Sequence, residues 1–285
     1  MPRMNPVLKY RGGKSREIPR FLQYIPEHFD RYIEPFFGGG AVYFYLEPDK
    51  AIINDVNERL MSFYNQLRDN YSEMRIQLDK IQHIYETNQA AYKKLKAQSP
   101  DERVPNANED LYYKMRELFN HPDNSYLDGV IYFFINKTAY SGMIRYNNNG
   151  EYNVPFGRYP NLNTKLVTEQ HSHLLQKAEL YNLDYQQIFN MANENDFMFL
   201  DPPYDCVFND YGNIDMMNGF DETEHRRLAE DFKNLPCRAL MVIGKTPLTM
   251  ELYGKYVYDE YYKNYSVNIK NRFNNDKMHI IVKNY

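Results

Sequence analysis

Two different spacings of apolar residues divide the chain into helices and short buried strands. Residues 18–25 keep the spacing of one helical face, and Pro26 predicts the end of that helix. Helices are also predicted over 41–46 and 56–67. Short, mainly apolar runs predict seven strands, at 31–36, 50–54, 179–184, 197–201, 237–243, 256–262 and 277–285. Strands and helices alternate at both ends of the chain, so the sequence predicts an α/β fold with a doubly wound sheet.

The middle of the chain has a different pattern. Residues 57–128 are polar and predicted to be helical, with a break at 99–108. Asn149-Gly150 lies between two alternating runs within 143–154, which predicts a β-hairpin closed by a type I′ turn.

The expected organisation is one sheet domain with an insertion. The sheet domain comprises 1–56 and 166–285, and the helical and β-hairpin insertion comprises 57–165. Late in the chain, Asp221 and Thr246 are predicted to be helix N-caps, the second followed by a proline in the first helical position.

The composition is that of an ordinary globular protein, with 285 residues of which 43% are hydrophobic and 25% charged. No apolar run reaches membrane-spanning length, and residues 1–14 lack the apolar core of a signal peptide. Cys206 and Cys237 form neither a disulfide framework nor a metal-ligand pattern. We therefore expect a cytoplasmic protein with reduced cysteines, no metal site and no membrane attachment.

Basic residues are concentrated in three segments of a chain whose net charge is −4. Lysine and arginine outnumber the acids over 1–20, 137–165 and 263–285. These segments could form one phosphate-binding face. They could equally be solvated surface charge, and the pattern alone leaves both interpretations open.

A glycine-rich turn joins a predicted strand to a predicted helix within EPFFGGGAV, at 34–42. Glycines let a ligand approach the backbone, and an acid after the next strand, here Asp55, often binds ribose hydroxyls. Tyr43 stands where a dinucleotide-binding motif has its third glycine. Taken alone, the turn indicates either an adenosine ligand or a tight turn without a chemical role.

A carboxylate, two prolines and a tyrosine end the predicted strand at 197–201. Prolines do not continue a central strand because they donate no ladder hydrogen bond. The strand should therefore end at Asp201, and Pro202 and Pro203 should form a stiff corner that carries Tyr204.

Four motifs follow one another along the chain: LKYRGGK at 8–14, EPFFGGGAV at 34–42, INDVN at 53–57 and DPPY at 201–204. In this order, and with NKTAYSGMIRYNNNGEYNVPFGRY at 136–159, they resemble the Dam-like, alpha-class DNA adenine N6-methyltransferases. The resemblance covers most of the chain. It implies a Rossmann-like class I methyltransferase sheet with an inserted target-recognition domain, S-adenosylmethionine as cofactor and double-stranded DNA as substrate.

The resemblance also implies a chemistry for the proline corner. Adenine N6 is a poor nucleophile because its lone pair is delocalised into the ring. Asp201 and the carbonyl of Pro202 would each accept an N6 hydrogen, with Pro203 completing the catalytic motif, and Tyr204 would stack on an adenine flipped out of the duplex. Orientation of two bound reactants would then supply much of the rate, without a metal or a nucleophilic side chain.

Donor-binding residues are implied by the same resemblance. Lys14 would pair with the donor's methionine carboxylate, Asp55 would bind its ribose, and Asp184 and Tyr185 would contact its adenine edge. Tyr10, where the family commonly has tryptophan, would pack near the adenine. The predicted donor-binding set is Tyr10, Lys14, Glu34, Pro35, Phe36, Gly38, Gly39, Gly40, Asp55, Asp184, Tyr185 and Asp201.

The resemblance assigns the reading of DNA mainly to the insertion. Lys9 and Arg145 would each face a guanine, whose O6 and N7 form a paired acceptor edge, and Met143 and Pro155 would lie beside a thymine methyl. Arg145 and Arg158 could instead hold phosphates, which carry no sequence information. The predicted DNA-binding set is Lys9, Asn136, Met143, Arg145, Asn147, Pro155, Arg158 and Tyr159. These residues imply methylation within GATC, or within a longer site beginning with GAT. A restriction endonuclease is a possible partner, and the sequence does not decide whether one exists.

Two other functions could use similar features. An RNA base or protein glutamine methyltransferase needs the same two acceptors, although the hairpin residues Arg145, Asn147 and Arg158 favour DNA. A catalytically silent DNA-binding module is disfavoured by the intact motif at 201–204.

The loop at 205–219 is expected to be mobile without DNA and to close over the site.

Overall fold

A computed structural model describes residues 3–204, 220–264 and 276–285. Within this part of the chain the strands are β1 (Tyr32–Glu34), β2 (Ala51–Asn54), β3 (Ala178–Tyr181), β4 (Phe197–Leu200), β5 (Arg238–Gly244), β6 (Val257–Asn264) and β7 (Asp276–Lys283). The α-helices are α1 (Ile18–Phe21), α2 (Ala41–Leu46), α3 (Glu58–Asp69), α4 (Tyr71–Gln98), α5 (Ala107–Asn120), α6 (Asp128–Thr138), α7 (Glu169–Leu175), α8 (Tyr185–Phe189), α9 (Glu222–Lys233) and α10 (Pro247–Tyr253). Each of the seven predicted strands is confirmed in position, apart from differences at its ends.

The strands form one sheet in the order β3-β2-β1-β4-β5-β7-β6. The first five are parallel, while β7 runs antiparallel to both β5 and β6. The chain builds outward from β1 to β3, then returns to β4 beside β1, so its direction of winding reverses between β1 and β4. Ligands of such sheets bind beyond the carboxyl ends of the strands at this switch point. The predicted α/β class with a Rossmann-like, doubly wound sheet is confirmed.

Every residue of β1, β2 and β4 is buried. Helices cover both faces of a parallel sheet, so its central strands appear in the sequence as continuous apolar runs. One face of α9 packs against this core through Leu228, Ala229 and Phe232. The core therefore holds the carboxyl ends of β1 and β4 in fixed positions.

The contacts divide the chain into two compact units. Unit 1 contains the sheet and comprises 1–5, 12–56 and 177–285, while unit 2 comprises 6–11 and 57–176 and contains α3 to α7. The sequence had placed the second boundary at 165/166. Helix α7 belongs to unit 2 because it packs on α3, where the Ser172 hydroxyl donates to the Arg68 carbonyl at 3.0 Å. Among the described residues, none of the helices has both the length and the apolar character that crossing a bilayer requires.

The strand predicted at 179–184 is too long. β3 ends at Tyr181. Asp184 instead caps helix α8 by accepting the Gln186 N–H at 3.0 Å. The apolar periodicity did not predict this helix. The short helix escaped notice because five residues span too few turns for an apolar spacing to show.

The hairpin prediction is correct in position but wrong in turn type. Tyr146 and Tyr152 form an isolated antiparallel bridge, and Gly150 has a φ of 78°. A type I′ turn needs positive φ at both central residues, and within the described hairpin Asn149 does not have it. The Asn147 side chain determines the turn instead, because its Oδ1 accepts the N–H groups of Asn149 and Glu151.

Candidate active site and nucleic-acid interface

The glycine turn after β1 is held by the acid at the end of β2. Asp55, 8% exposed, accepts the Gly38 N–H through Oδ2 at 2.9 Å. Gly38 and Gly40 have φ values of 50° and 66°, which favour glycine. A Cβ at Gly40 would also lie 2.5 Å from the Phe37 ring, so the tight turn excludes any larger residue there.

An amide that sequence analysis missed joins three strand ends. Asn54 donates through Nδ2 to the carbonyls of Pro35 and Leu183, both at 3.0 Å, and its Oδ1 accepts the Leu183 N–H at 2.8 Å. These bonds connect the segments that follow β1, β2 and β3. The only signal in the sequence was a polar residue at the end of an apolar run.

Asp201 follows β4 directly, at the carboxyl edge beside the switch point. Its Oδ1 lies 2.5 Å from Nζ of Lys14, a lysine only 2% exposed. The same ammonium donates to the Tyr204 hydroxyl at 2.7 Å and to the Gly12 carbonyl at 2.9 Å. The structure thus brings Lys14 of the motif at 8–14 together with Asp201 and Tyr204 of the motif at 201–204.

The charge state of Asp201 reflects two opposing effects. Burial raises the pKa of the Asp201 carboxyl above its ordinary value, while the charge of Lys14 and its hydrogen bond act to lower it. An ammonium has three donors, and all three of Lys14 have protein acceptors. The carboxylate of a bound methyl donor would therefore have to replace one of these three acceptors.

Glu34 lies inside the protein rather than on the surface of the site. It is 2% exposed and accepts the Tyr32 hydroxyl hydrogen at 2.8 Å. Burial raises the pKa of Glu34 well above its usual range, and the negative charge of Asp201 adds to the effect. The structure therefore places the Glu34 carboxyl within the buried part of β1.

An aromatic pair lies beyond β1 and β3. The half-buried ring of Phe36 packs against Tyr185, with ring centroids 5.3 Å apart. Tyr185 is 4% exposed and donates to Asp231 at 3.0 Å, while Asp184 pairs with Arg227 at 2.8 Å. Neither Asp231 nor Arg227 was selected from the sequence, because acids and arginines on an exposed helical face are common.

In unit 2, Lys9 and Asn136 form a reciprocal pair. The Lys9 N–H donates to Asn136 Oδ1 and Asn136 Nδ2 donates to the Lys9 carbonyl, both at 2.8 Å. Lys9 Nζ donates to the Lys137 carbonyl at 2.9 Å and lies 3.8 Å from the centre of the Tyr159 ring. Lys137 was not selected from the sequence; it is 8% exposed, and burial together with the nearby Lys9 lowers its pKa to about 8.

The hairpin presents one arginine with a defined orientation. Exposed Arg145 donates through Nε to Asn153 Oδ1 at 2.7 Å and through Nη2 to the Asn153 carbonyl at 3.2 Å. Asn147 is occupied by its own turn and by Glu151, to which its Nδ2 donates at 3.0 Å. Asn153, which was not predicted, is therefore the residue that orients Arg145.

Four other predicted site residues differ in exposure. Pro155 is exposed, and Met143 and Tyr10 are half-buried. Arg158 is 64% exposed and lies 3.6 Å from Glu109. The loop at 205–219, predicted to be mobile, lies outside the described residues.

Comparison with known proteins gives a consistent result. A family model described as the D12 class N6 adenine-specific DNA methyltransferases matches residues 10–271. The type II methyltransferase M.CviBI of Paramecium bursaria Chlorella virus NC1A is 34% identical, over 99% of this chain and 100% of its own length. The type II methyltransferase M.MjaIII of Methanocaldococcus jannaschii is 30% identical over 88% and 87% of the two chains. The DNA adenine methylase of Salmonella typhi is 29% identical over 89% and 85%.

Proposed function

Because the chain belongs to the D12 class of N6 adenine-specific DNA methyltransferases, we propose that it transfers the methyl group of S-adenosylmethionine to an adenine flipped out of duplex DNA. The proposed target is GATC, or a longer site that begins with GAT. One observation carries the proposal: Asp201 and the carbonyl of Pro202 follow a fully buried strand directly at the switch point of the sheet.

Two adjacent hydrogen-bond acceptors are what an exocyclic amine requires. Asp201 and the Pro202 carbonyl each accept one N6 hydrogen, which draws the nitrogen towards a tetrahedral geometry and makes its lone pair available. A carboxylate has about four acceptor positions, so Asp201 can accept from N6 while Lys14 remains bound to Oδ1. The prolines fix φ and hence the direction of the carbonyl.

Tyr204 provides the surface that receives the base. Flipping costs a few kcal/mol of unstacking, which stacking on an aromatic ring offsets by about 1–3 kcal/mol. The Tyr204 ring is half-buried, and its hydroxyl is held by Lys14. The flipped adenine is thereby placed with N6 at the corner.

The residues beyond β1, β2 and β3 fit the chemistry of the donor. When bound, this cofactor supplies an electrophilic methyl group on a sulfonium. The Asp55 carboxylate suits ribose hydroxyls, and the half-buried Phe36 ring suits the face of an adenine. Lys14 would pair with the donor's carboxylate, and Asp184 would contact its adenine edge.

Base reading is proposed for Lys9 and Arg145. Asn153 holds Arg145 through Nε and Nη2, so its guanidinium would meet the O6 and N7 of a guanine from a fixed position. Arg158, exposed and only loosely paired with Glu109, is proposed to hold a phosphate, which positions the protein without reading sequence.

The relatives named type II methyltransferases support a proposal for the cellular role. We propose that the enzyme works in the cytoplasm and protects its cell's DNA against a restriction endonuclease that recognises the same site. DNA from cells expressing the enzyme should resist endonucleases that cleave only unmethylated target sites. DNA from cells expressing Asp201→Ala should be cleaved.

The biochemical test uses purified protein and methyl-labelled S-adenosylmethionine. Label should enter GATC duplex DNA, and not duplexes in which the adenine already carries an N6-methyl group. Duplexes altered one base pair at a time map the bases that are read, and Asp201→Ala is the inactive control. Preferred labelling of RNA or of protein would contradict the proposal, and equal labelling of all duplexes would refute the proposed site.

A further inference from the structure

A cluster of buried ionisable side chains in unit 1 has no part in the chemistry described so far. Glu17, just before α1, is 5% exposed, and His279 on β7 is 1% exposed. Glu17 Oε2 accepts the Tyr261 hydroxyl hydrogen at 2.7 Å and lies 2.9 Å from His279 Nδ1. Glu17 Oε1 lies 2.5 Å from Lys263 Nζ. One carboxylate therefore ties the start of α1 to both strands of the β6–β7 pair.

This cluster contacts Tyr204 of the catalytic corner and the turn that carries Lys14. The His279 and Tyr204 rings pack in a T-shaped arrangement, with centroids 5.2 Å apart and an angle of 70° between the planes. The Glu17 N–H donates to the Lys14 carbonyl at 2.7 Å, so Glu17 and Lys14 share one tight turn. The Tyr204 ring is thus contacted by the His279 ring and held at its hydroxyl by Lys14.

The energetics favour a positional task for the cluster. Burial acts to raise the pKa of Glu17, yet the hydrogen bond with His279, the charge of Lys14 and the contacts with Lys263 and Tyr261 lower it to about 2. Glu17 is therefore ionised near neutral pH. Well-packed apolar residues often stabilise a fold as well as buried charges do, so a buried charge cluster is better suited to fixing geometry.

We propose that Glu17 and His279 are positioning residues for methyl transfer. Glu17 fixes the orientation of the His279 imidazole, and His279 sets the plane of the Tyr204 ring on which the target adenine stacks. This inference rests on the stacking role proposed for Tyr204. Neither side chain touches the reacting atoms; a tilted Tyr204 ring would carry N6 away from its acceptors at Asp201 and Pro202.

The test uses Glu17→Gln, His279→Phe and the double variant in the full-length protein. Phenylalanine keeps a ring beside Tyr204 but cannot bind Glu17, and glutamine removes the charge with little change in shape. Single-turnover methyl transfer with saturating enzyme gives a rate constant and an amplitude. Each single variant should lower the rate constant by about 10-fold or more, in the range that small misplacements cost. The amplitude of methyl transfer should equal that of the parent protein.

The double variant should be no slower than the slower single variant, because both changes break the same link. Asp196→Asn is the matched control. Asp196 is also a buried acid, 1% exposed and paired with Arg31 at 2.7 Å, but it precedes β4 at the opposite end from Asp201. The Asp196→Asn substitution should lower the melting temperature and leave the rate constant of methyl transfer unchanged.

Unchanged rate constants with reduced amplitudes would show a purely structural role and overturn the inference. Additive losses in the double variant would also overturn it, since they would show that the two residues act separately. If Glu17→Gln fails to fold, His279→Phe alone decides by its rate constant. An inactive parent protein would refute the proposed function, whereas an active parent with unaffected variants refutes only the positioning role.

Discussion

Replacing Asp201 by alanine should affect stability and activity by separate amounts, both of which follow from Lys14. In the native protein the buried Lys14 ammonium, 2% exposed, has one charged partner, Asp201, and two neutral acceptors. Removing one member of a buried pair costs about 3–5 kcal/mol, because the remaining charge is left uncompensated. The Asp201 side chain is 22% exposed, so water can partly replace it and the lower end, about 3 kcal/mol, is expected.

The loss of activity has a different origin. A hydrogen bond to a charged acceptor contributes about 1.5–3 kcal/mol, and this bond strengthens as charge develops on N6. Its loss corresponds to a rate lowered by at least about 10- to 150-fold. The protein should remain folded, since domains typically have about 5–15 kcal/mol of stability.

Urea unfolding and single-turnover methyl transfer separate the two effects. The double variant Lys14→Met, Asp201→Ala removes both charges, so it should regain much of the lost stability while remaining inactive. A rate for Asp201→Ala within about threefold of the parent would remove Asp201 from the mechanism. A double variant no more stable than Asp201→Ala would show that Lys14 is not left uncompensated.

Three further predictions concern the ring, the bases and the buried acid. Tyr204→Phe should be mild and Tyr204→Ala should cost about 1–3 kcal/mol of stacking in the transfer rate; equal damage would identify the hydroxyl as the essential group. Arg145→Ala should cost about 1–3 kcal/mol of discrimination at one guanine, whereas Arg158→Ala should weaken all duplexes alike and reduce the salt dependence of binding; uniform loss in both would make Arg145 a phosphate contact. The pKa of Glu17 is lowered from 4.5 to about 2, so its contribution to stability is complete above about pH 4.5 and is lost as the pH falls towards 2. Glu17→Gln should therefore flatten the acid side of the plot of unfolding free energy against pH, and an unchanged slope would show that another group titrates there.

The sequence determined the elements whose signals are local. The strands were found because residues buried on both faces leave unbroken apolar runs, as in β2 and β4. Asp221 and Thr246 cap their helices as expected, accepting the N–H groups three residues on. The proline corner after β4 could also be predicted from the sequence, because prolines do not continue a central strand.

Only the tertiary structure decided which of these local features meet. Lys14 and Asp201 are 187 positions apart in the sequence, and the pattern of apolar residues does not indicate that their side chains meet in the folded protein. The contact of Glu17 with His279, and of His279 with Tyr204, depends on β7 lying between β5 and β6, an order that periodicity does not specify. Spacing along the sequence shows which face of an element is buried, whereas the strand order and packing of the whole sheet determine which buried side chains become neighbours.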